Sequence, residues 1–508
     1  MGITEFKSVL PRELLASVVV FLVALPLCMG IAIASGMPPA KGLITGIIGG
    51  LVVGWLAGSP LQVSGPAAGL AVLVFEVVRE HGMAMLGPIL LLAGLLQVMA
   101  GHFKLGCWFR VTAPAVVYGM LAGIGVLIVL SQMHVMFDGG PKPSGLDNLI
   151  SFPATLFQAV GPGTGLQAGM LGVGTILVMW LWEKWRPQSL RFVPGALLGV
   201  GLATLASLIF ALEIKRVVVP ANLAEAIDWL RPADLLNLAD PAILVAAFAV
   251  AFIASAETLL SAAAVDRMHN GQRSDFDREL SAQGIGNMVC GLLGALPMTG
   301  VIVRSSANVQ AGARTRLSAV FHGVWLLAFV LLLSSVLQSI PVASLAGVLV
   351  YTGIKLVDLK AFRGLGRYGR MPMFTYAATA VAIILTDLLT GVLLGFALTL
   401  IKLAWKASRL KISLIDLEAE GEVELRLMGA ATFLKVPSLT QVLANIAPGS
   451  TVHVPLNNLS YIDHSCLELL EEWGRANAAT GSQLIIEPRG LKRRLEGRLR
   501  TTSGLGAA

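Results

Sequence analysis

The stretch SPLQVSGPAAGLAV, residues 59–72, sets two prolines, two serines and two glycines between apolar runs. Backbone this breakable survives at membrane depth only where it lines a cavity or is buried in protein, because unpaired amides are costly in hydrocarbon. A shift of 237 residues lays residues 49–60 on 286–297 without a gap, so that Gly49/Gly286, Val52/Val289, Gly54/Gly291, Leu56/Leu293 and Pro60/Pro297 coincide. The counterpart of the interrupted stretch is then LPMTGVIVRSSANVQAG, residues 296–312. Paired interruptions at matching places in two halves are the sequence sign of a secondary transporter's binding site.

The rest of the chain fits that frame. Of 508 residues, 56% are hydrophobic and 13% charged, with mean hydropathy +0.78, against roughly 25% charged residues in soluble domains. Runs at 88–100, 113–130, 167–182, 193–212, 241–255 and 317–337 approach or reach the ~17–25 residues that cross a bilayer as helix. About seven spans precede residue 212 and about seven follow residue 241, and an odd number per half turns the second half upside down. The fold expected is a polytopic all-α membrane protein of 14 spans, a 7+7 inverted repeat over about 12–212 and 241–408. No cleavable signal is read, because residues 11–35 run directly into further spans.

The net charge of +7 does not point to nucleic acid, since the basic residues sit in short loops rather than on one face. Lys104/Arg110, Lys184/Arg186/Arg191, Arg267/Arg273/Arg278, Arg314/Arg316 and Lys360/Arg363/Arg367/Arg370 alternate with balanced or acidic loops at 137–165 and 213–240. That bias places both termini in the cytoplasm of a cell (inner) membrane protein. Cys28, Cys107, Cys290 and Cys466 stand singly, which gives neither a disulfide framework nor a metal site. Neither G-x-x-x-x-G-K-[ST] nor G-x-S-x-G occurs, so no enzyme and no ATP-driven pump is expected.

Each interrupted segment reads as an extended stretch, 61–64 or 298–303, followed by a short helix, 66–79 or 304–311. Pro66 suits a first helical turn, and Ala67, Ala68 and Gly69 are small enough to let a ligand approach the backbone. A helix start carries roughly half a positive charge and up to four unpaired donors, so two of them converging make an anion site. Arg304 adds a full charge; Ser305 and Ser306 either donate to the anion or cap the helix. Glu257, in AFIASAETLLSAAAVD (residues 251–266), is a lone carboxylate deep in a span. It is protonated, paired with Arg304, or bound to a cation, with Ser261 one turn later as a second oxygen. Asp387 reads as structural, and Gln97 as satisfying a neighbouring helix.

After residues 406–411 the apolar runs shrink and charges become frequent. Strands are predicted at 422–427, 451–455 and 483–486 and helices at 436–446 and 465–478, a small α/β domain over 412–500 behind a membrane domain of 1–408.

FLVALPLCMGIAIASGMPPAKGLITGIIGGLVVGWLAGSPLQVSGPAAG (residues 21–69), together with NVQAGARTRLSA (308–319), resembles the SulP anion-permease family. LSYIDHSCLELLEEW (459–473) resembles the STAS domain that follows it in such proteins. The resemblance implies a core domain that holds substrate and a gate domain against which it moves, in a homodimer. It implies substrates among sulfate, bicarbonate, chloride, oxalate and dicarboxylates. It places the anion pocket at Leu27 and Ile31, at Ala67, Ala68 and Gly69, and at Val301, Ile302, Val303, Arg304 and Ser305, and it sets Glu257 with Ser261 where the bicarbonate branch holds sodium.

The sequence departs from that pattern in places. Leu27 stands where many members carry glutamine, and Val301 to Val303 replace serines. Glu257 replaces the aspartate of sodium-coupled members and leaves H+ or Na+ as the coupling ion, with no other cofactor. In the tail, Asp463, His464, Ser465 and Cys466 keep a serine but lose the glycine of the phosphorylated D-S-S-G stretch, so phosphorylation is not expected.

The expected function is secondary active transport of a small anion across the lipid bilayer by alternating access. The alternatives are an anion channel or exchanger, and a nucleobase permease, which would need an acid where Arg304 stands.

Overall fold

Pro60, Gly65 and Pro66 stop the second apolar run from continuing as helix, and the consequences organise the whole architecture. The computed structural model describes residues 3–106, 114–142, 144–161, 163–187, 190, 193–220, 223–407, 410–417 and 421–487. Cys107, Arg110, Arg191 and the end of the expected tail domain, 488–500, lie outside the described residues. The chain divides into two compact units, Met1–Phe396 and Ala397–Ala508, and the division falls inside the helix Leu388–Ala407.

The first unit begins with α1 (Ile3–Ala34) and α2 (Pro39–Ile48), which continues through a π-turn at Gly49–Val53. The strand β1 (Ser64–Pro66) and the short helix α3 (Ala68–His81) follow, then α4 (Met83–His102). Next come α5 (Pro114–Met136), α6 (Gly145–Val160), α7 (Gly165–Trp185) and α8 (Gly195–Ile209). The second half repeats the order with α9 (Pro241–Asp266), α10 (Phe276–Leu292), β2 (Met298–Gly300), α11 (Ile302–Gln310), α12 (Leu317–Leu332), α13 (Val342–Leu356), α14 (Arg370–Leu385) and α15 (Leu388–Ala407). Among the described residues eight helices are long and apolar enough to cross a membrane, and Gly195–Ile209, Leu317–Leu332 and Arg370–Leu385 are shorter apolar helices.

Two bundles form. The core bundle packs α1–α4 with α9–α12, and the gate bundle packs α5–α8 with α13 and α14. Lipid tails are as apolar as leucine, so close backbone approach rather than oil–water segregation holds such helices together. A Cβ on Gly94 would lie 2.5 Å from the Gly284 carbonyl oxygen, and one on Gly347 2.6 Å from that of Gly172. These pairs seat α4 on α10 and α7 on α13.

β1 and β2 pair antiparallel, Ser64 with Gly300, Gly65 with Thr299 and Pro66 with Met298. Met298 lies 234 residues after Ser64, and Ile302 lies 234 after Ala68. The offset of 237 read from residues 49–60 therefore shortens by three beyond the prolines, and Gly65 pairs with its own repeat equivalent. The sequence reading put Pro66 in the first turn of a helix; it is instead the last residue of β1, where its missing N–H ends the ladder, and α3 starts at Ala68. Likewise α11 starts at Ile302, which makes Arg304 its third residue rather than its first.

In the second unit, β3 (Leu410–Asp416) runs antiparallel to β4 (Glu422–Ala431). β5 (Thr451–Pro455) and β6 (Leu459–Ile462) lie parallel to β4, and β7 (Gln483–Glu487) parallel to β5. Helices α16 (Val436–Leu443) and α17 (His464–Asn477) pack on the sheet over Leu425, Leu427, Val452, Val454, Leu439 and Leu470. β3 and β6 had no counterpart in the sequence reading; β3 is a largely exposed edge strand and β6 has four residues, too few to show a period. Cys466 is buried, and burial pushes its thiol up, with the Asp463 carboxylate adding to the effect.

Candidate functional site

The two half-helices meet tip to tip because the β1–β2 pairing joins the residues just before them. Their caps, Ala67 and Val301, are extended and have no side-chain oxygen to give, so neither helix start receives a side-chain cap. Each therefore presents main-chain donors to whatever lies in front.

What lies in front is a cavity of about 1040 Å³ between the two bundles. The core bundle lines it with Leu27, Ile31, Ala68, Gly69, Glu257 and Arg304, among others. The gate bundle contributes apolar Met120, Met179, Val348 and Leu349 at depth and charged Glu183, Arg186, Lys355 and Asp358 toward the mouth. Lys355 Nζ lies 2.6 Å from Glu183 Oε2, and the Tyr351 hydroxyl donates to the same oxygen at 2.6 Å.

Arg304 is fully buried, yet among the described residues Nε, Nη1 and Nη2 meet no nitrogen or oxygen partner, and only the thiol of Cys28 lies beside the guanidinium. Its guanidinium lies so close under the main chain of β1 that a Cβ on Gly65 would strike Nη1. An unpaired charge in a buried place is strongly unfavourable and calls for a counter-charge. Glu257 does not supply it, since no ion pair joins Glu257 and Arg304 among the described residues. The sequence reading left that pairing open; in the structure Glu257 packs under α3, where a Cβ on Gly69 would lie 2.7 Å from Oε2. Glu257 Oε2 and Ser261 Oγ are both buried without partners among the described residues. A guanidinium and a carboxyl group thus flank the β1–α3 junction separately.

A polar scaffold fixes this geometry. On α10, Asn287 accepts from Met298 N at 2.8 Å and donates to the Met298 carbonyl at 3.2 Å and to Gln97 Oε1 at 2.8 Å. Gln283 donates to Ser64 Oγ at 2.5 Å and to Glu279 Oε1 at 3.0 Å, while Glu279 Oε2 accepts from Ser59 N at 2.9 Å. Thr258 Oγ1 accepts from Gly300 N at 3.1 Å, and the Thr258 carbonyl accepts from Gln62 Nε2 at 3.0 Å.

The profile of the sulfate permease family matches residues 10–379. YvdB of Bacillus subtilis (strain 168), named as a sulfate transporter, is 31% identical over 77% of this chain and 73% of its own length. The chain belongs to the sulfate permease family. Among solved structures, the transmembrane domain of a cyanobacterial bicarbonate transporter, BicA, is 26% identical and superimposes with a TM-score of 0.66 over 75% of this chain and 97% of that one. Murine Slc26a9, an anion transporter captured in its inward-facing state, shares the fold at 16% identity, with a TM-score of 0.77 over 94% of this chain and 86% of its own.

In this permease, ten of the residues singled out from sequence line the cavity: Leu27, Ile31, Ala68, Gly69, Glu257, Ser261 and Val301 to Arg304. Two do not. Ala67 is buried as the cap of α3. The Ser305 hydroxyl accepts from Val63 N at 2.9 Å and donates to the Val301 carbonyl at 2.7 Å, so it ties α11 to the first half and turns away from the lining. Ser306, Ala307 and Gln310, on the opposite face of α11, line the cavity instead. The sequence reading also missed Glu279, Gln283 and Asn287; their spacing of four puts three buried polar groups on one face of α10, a signal that was there to be read.

Proposed function

We propose that this permease is a secondary active transporter of a small anion, sulfate, bicarbonate or a dicarboxylate, working by alternating access in the cell membrane. The observation that carries the reading is Arg304, a buried guanidinium whose three nitrogens meet no nitrogen or oxygen partner among the described residues, beside two uncapped helix starts. The anion sits against the amides at Ala68, Gly69, Ile302 and Val303 with Arg304 behind them, and Leu27 and Ile31 close the apolar side. Glu257 and Ser261 take the coupling cation, H+ or Na+, whose charge offsets that of the anion. Names among the relatives support sulfate and bicarbonate as substrates.

The cationic loops support cytoplasmic termini, and the cavity then faces the cytoplasm. We assign the second unit as a STAS domain associated with a homodimer. Arg304 does not favour a nucleobase, since it offers donors but no acceptor for ring N–H groups.

Proteoliposomes loaded with cold sulfate, bicarbonate or fumarate and given the labelled anion outside test the reading, with and without sodium. Saturable flux stimulated by internal substrate is expected for at least one of the three. Unsaturable ohmic currents would instead identify a channel, and flux indifferent to Arg304→Ala would move the site elsewhere.

A further inference from the structure

The bundles meet a second time at the far end of α3. Ala68 and Gly69 face the large cavity, whereas Val72, Phe75 and Glu76 line a small pocket of about 40 Å³ whose opposite wall includes Leu127, Lys142 and Thr386 of the gate bundle. Gly69 and Glu76 are two turns apart on one face of the helix, so Glu76 lies about 10 Å further along its axis. Val72, Phe75 and Leu127 are the apolar part of that small pocket's lining, and Glu76, one turn on from Val72, lines it half-buried.

The charged groups around Glu76 are two acids and two bases. Asp387, before α15, and Glu80, one turn on, act on it with like charge, opposed by Arg79. Arg79 is held by Glu80 at 3.0 Å. Lys142 lines the same pocket but makes no ion pair with Glu76 among the described residues. Asp387 accepts from Thr390 N at 2.9 Å and Thr390 Oγ1 at 2.6 Å and so remains in place opposite.

Resting on the transport reading above, we propose that Glu76 is a selectivity gate on the side opposite the cavity mouth. When the bundles part along this stripe, an anion arriving from that side passes Glu76 before it reaches Gly69 and Arg304. A carboxylate there, reinforced by Asp387, repels it; a neutral carboxyl lets it through. The proton is taken from and returned to water on that side, so anion influx depends on the pH of that compartment, independently of any proton carried by Glu257.

The test is labelled sulfate influx into oriented vesicles, with the pH opposite the cavity mouth varied from about 6 to about 8 and the other side held constant; sulfate itself stays divalent. Wild-type influx should fall by about tenfold or more as that pH rises, because like charges repel at close quarters in a protein interior. In Glu76→Gln the pH dependence should shrink to what proton coupling through Glu257 contributes, and Glu76→Asp should restore it in full. A merely structural role would lower influx alike at every pH. A Glu76→Gln profile that still tracks the wild type would overturn the inference alone. A wild type that moves neither sulfate nor bicarbonate would overturn the transport reading and this inference with it.

Discussion

Arg304 and Gly65 act as one unit. The guanidinium occupies the space a side chain at position 65 would need, so Gly65→Ala should disable the site without removing its charge. Hydrogen bonds to charged groups contribute about 1.5–3 kcal/mol each, and Arg304→Ala should therefore slow anion uptake by about tenfold to about a hundredfold in KM-limited conditions. Gly65→Ala should approach the same loss, whereas Arg304→Lys, which keeps the charge but not the planar fork, should fall between wild type and Arg304→Ala. Initial rates in proteoliposomes check the order of the three. Gly69 bears on Glu257 instead: Gly69→Ala drives a methyl into the Glu257 carboxyl and should weaken dependence on the coupling ion more than affinity for the anion, read as a change in sodium or proton stimulation at fixed sulfate.

At the scale of the element, the broken segments are stable because α10 spends its polar face on them. Asn287→Ala would leave the Met298 N–H, the Met298 carbonyl and Gln97 Oε1 each short of a partner. Buried groups left in that way cost about 1–3 kcal/mol, so the thermal midpoint of the purified protein in detergent should drop by several degrees, and Asn287→Asp, which sets a carboxylate oxygen against the Met298 carbonyl and Gln97 Oε1, should lose at least as much. An unchanged midpoint would mean water takes over these bonds. The interruption itself was legible: Pro60, Gly65 and Pro66 cannot continue a helix, and the matching Pro297 and Gly300 repeat the message. Its register was not. The three-residue shortening after the prolines leaves no trace in composition, and it decides that Ala68 and Ile302, rather than Pro66 and Arg304, open the half-helices. Ser305 and Ser306 part for a similar reason: one position along a helix turns a side chain by 100°, which separates the hydroxyl bonded to Val63 from that of Ser306 in the cavity.

For the whole molecule, the large cavity on one side of the helix tips and the small pocket on the other fit one state of the alternating access proposed above. Alternating access requires the bundles to separate where Val72 and Phe75 of α3 now face Leu127 of α5. A disulfide between Val72→Cys and Leu127→Cys would forbid that separation and leave the cavity intact. The oxidised protein should lose sulfate transport while still showing a sulfate-dependent rise in thermal midpoint, because a ligand that binds only the folded protein stabilises it in proportion to RT ln(1 + [L]/Kd), and reduction should restore transport. Transport that survives oxidation would show that the anion leaves by a route other than along α3, and the role given to Glu76 would then have to be abandoned together with the bundle motion.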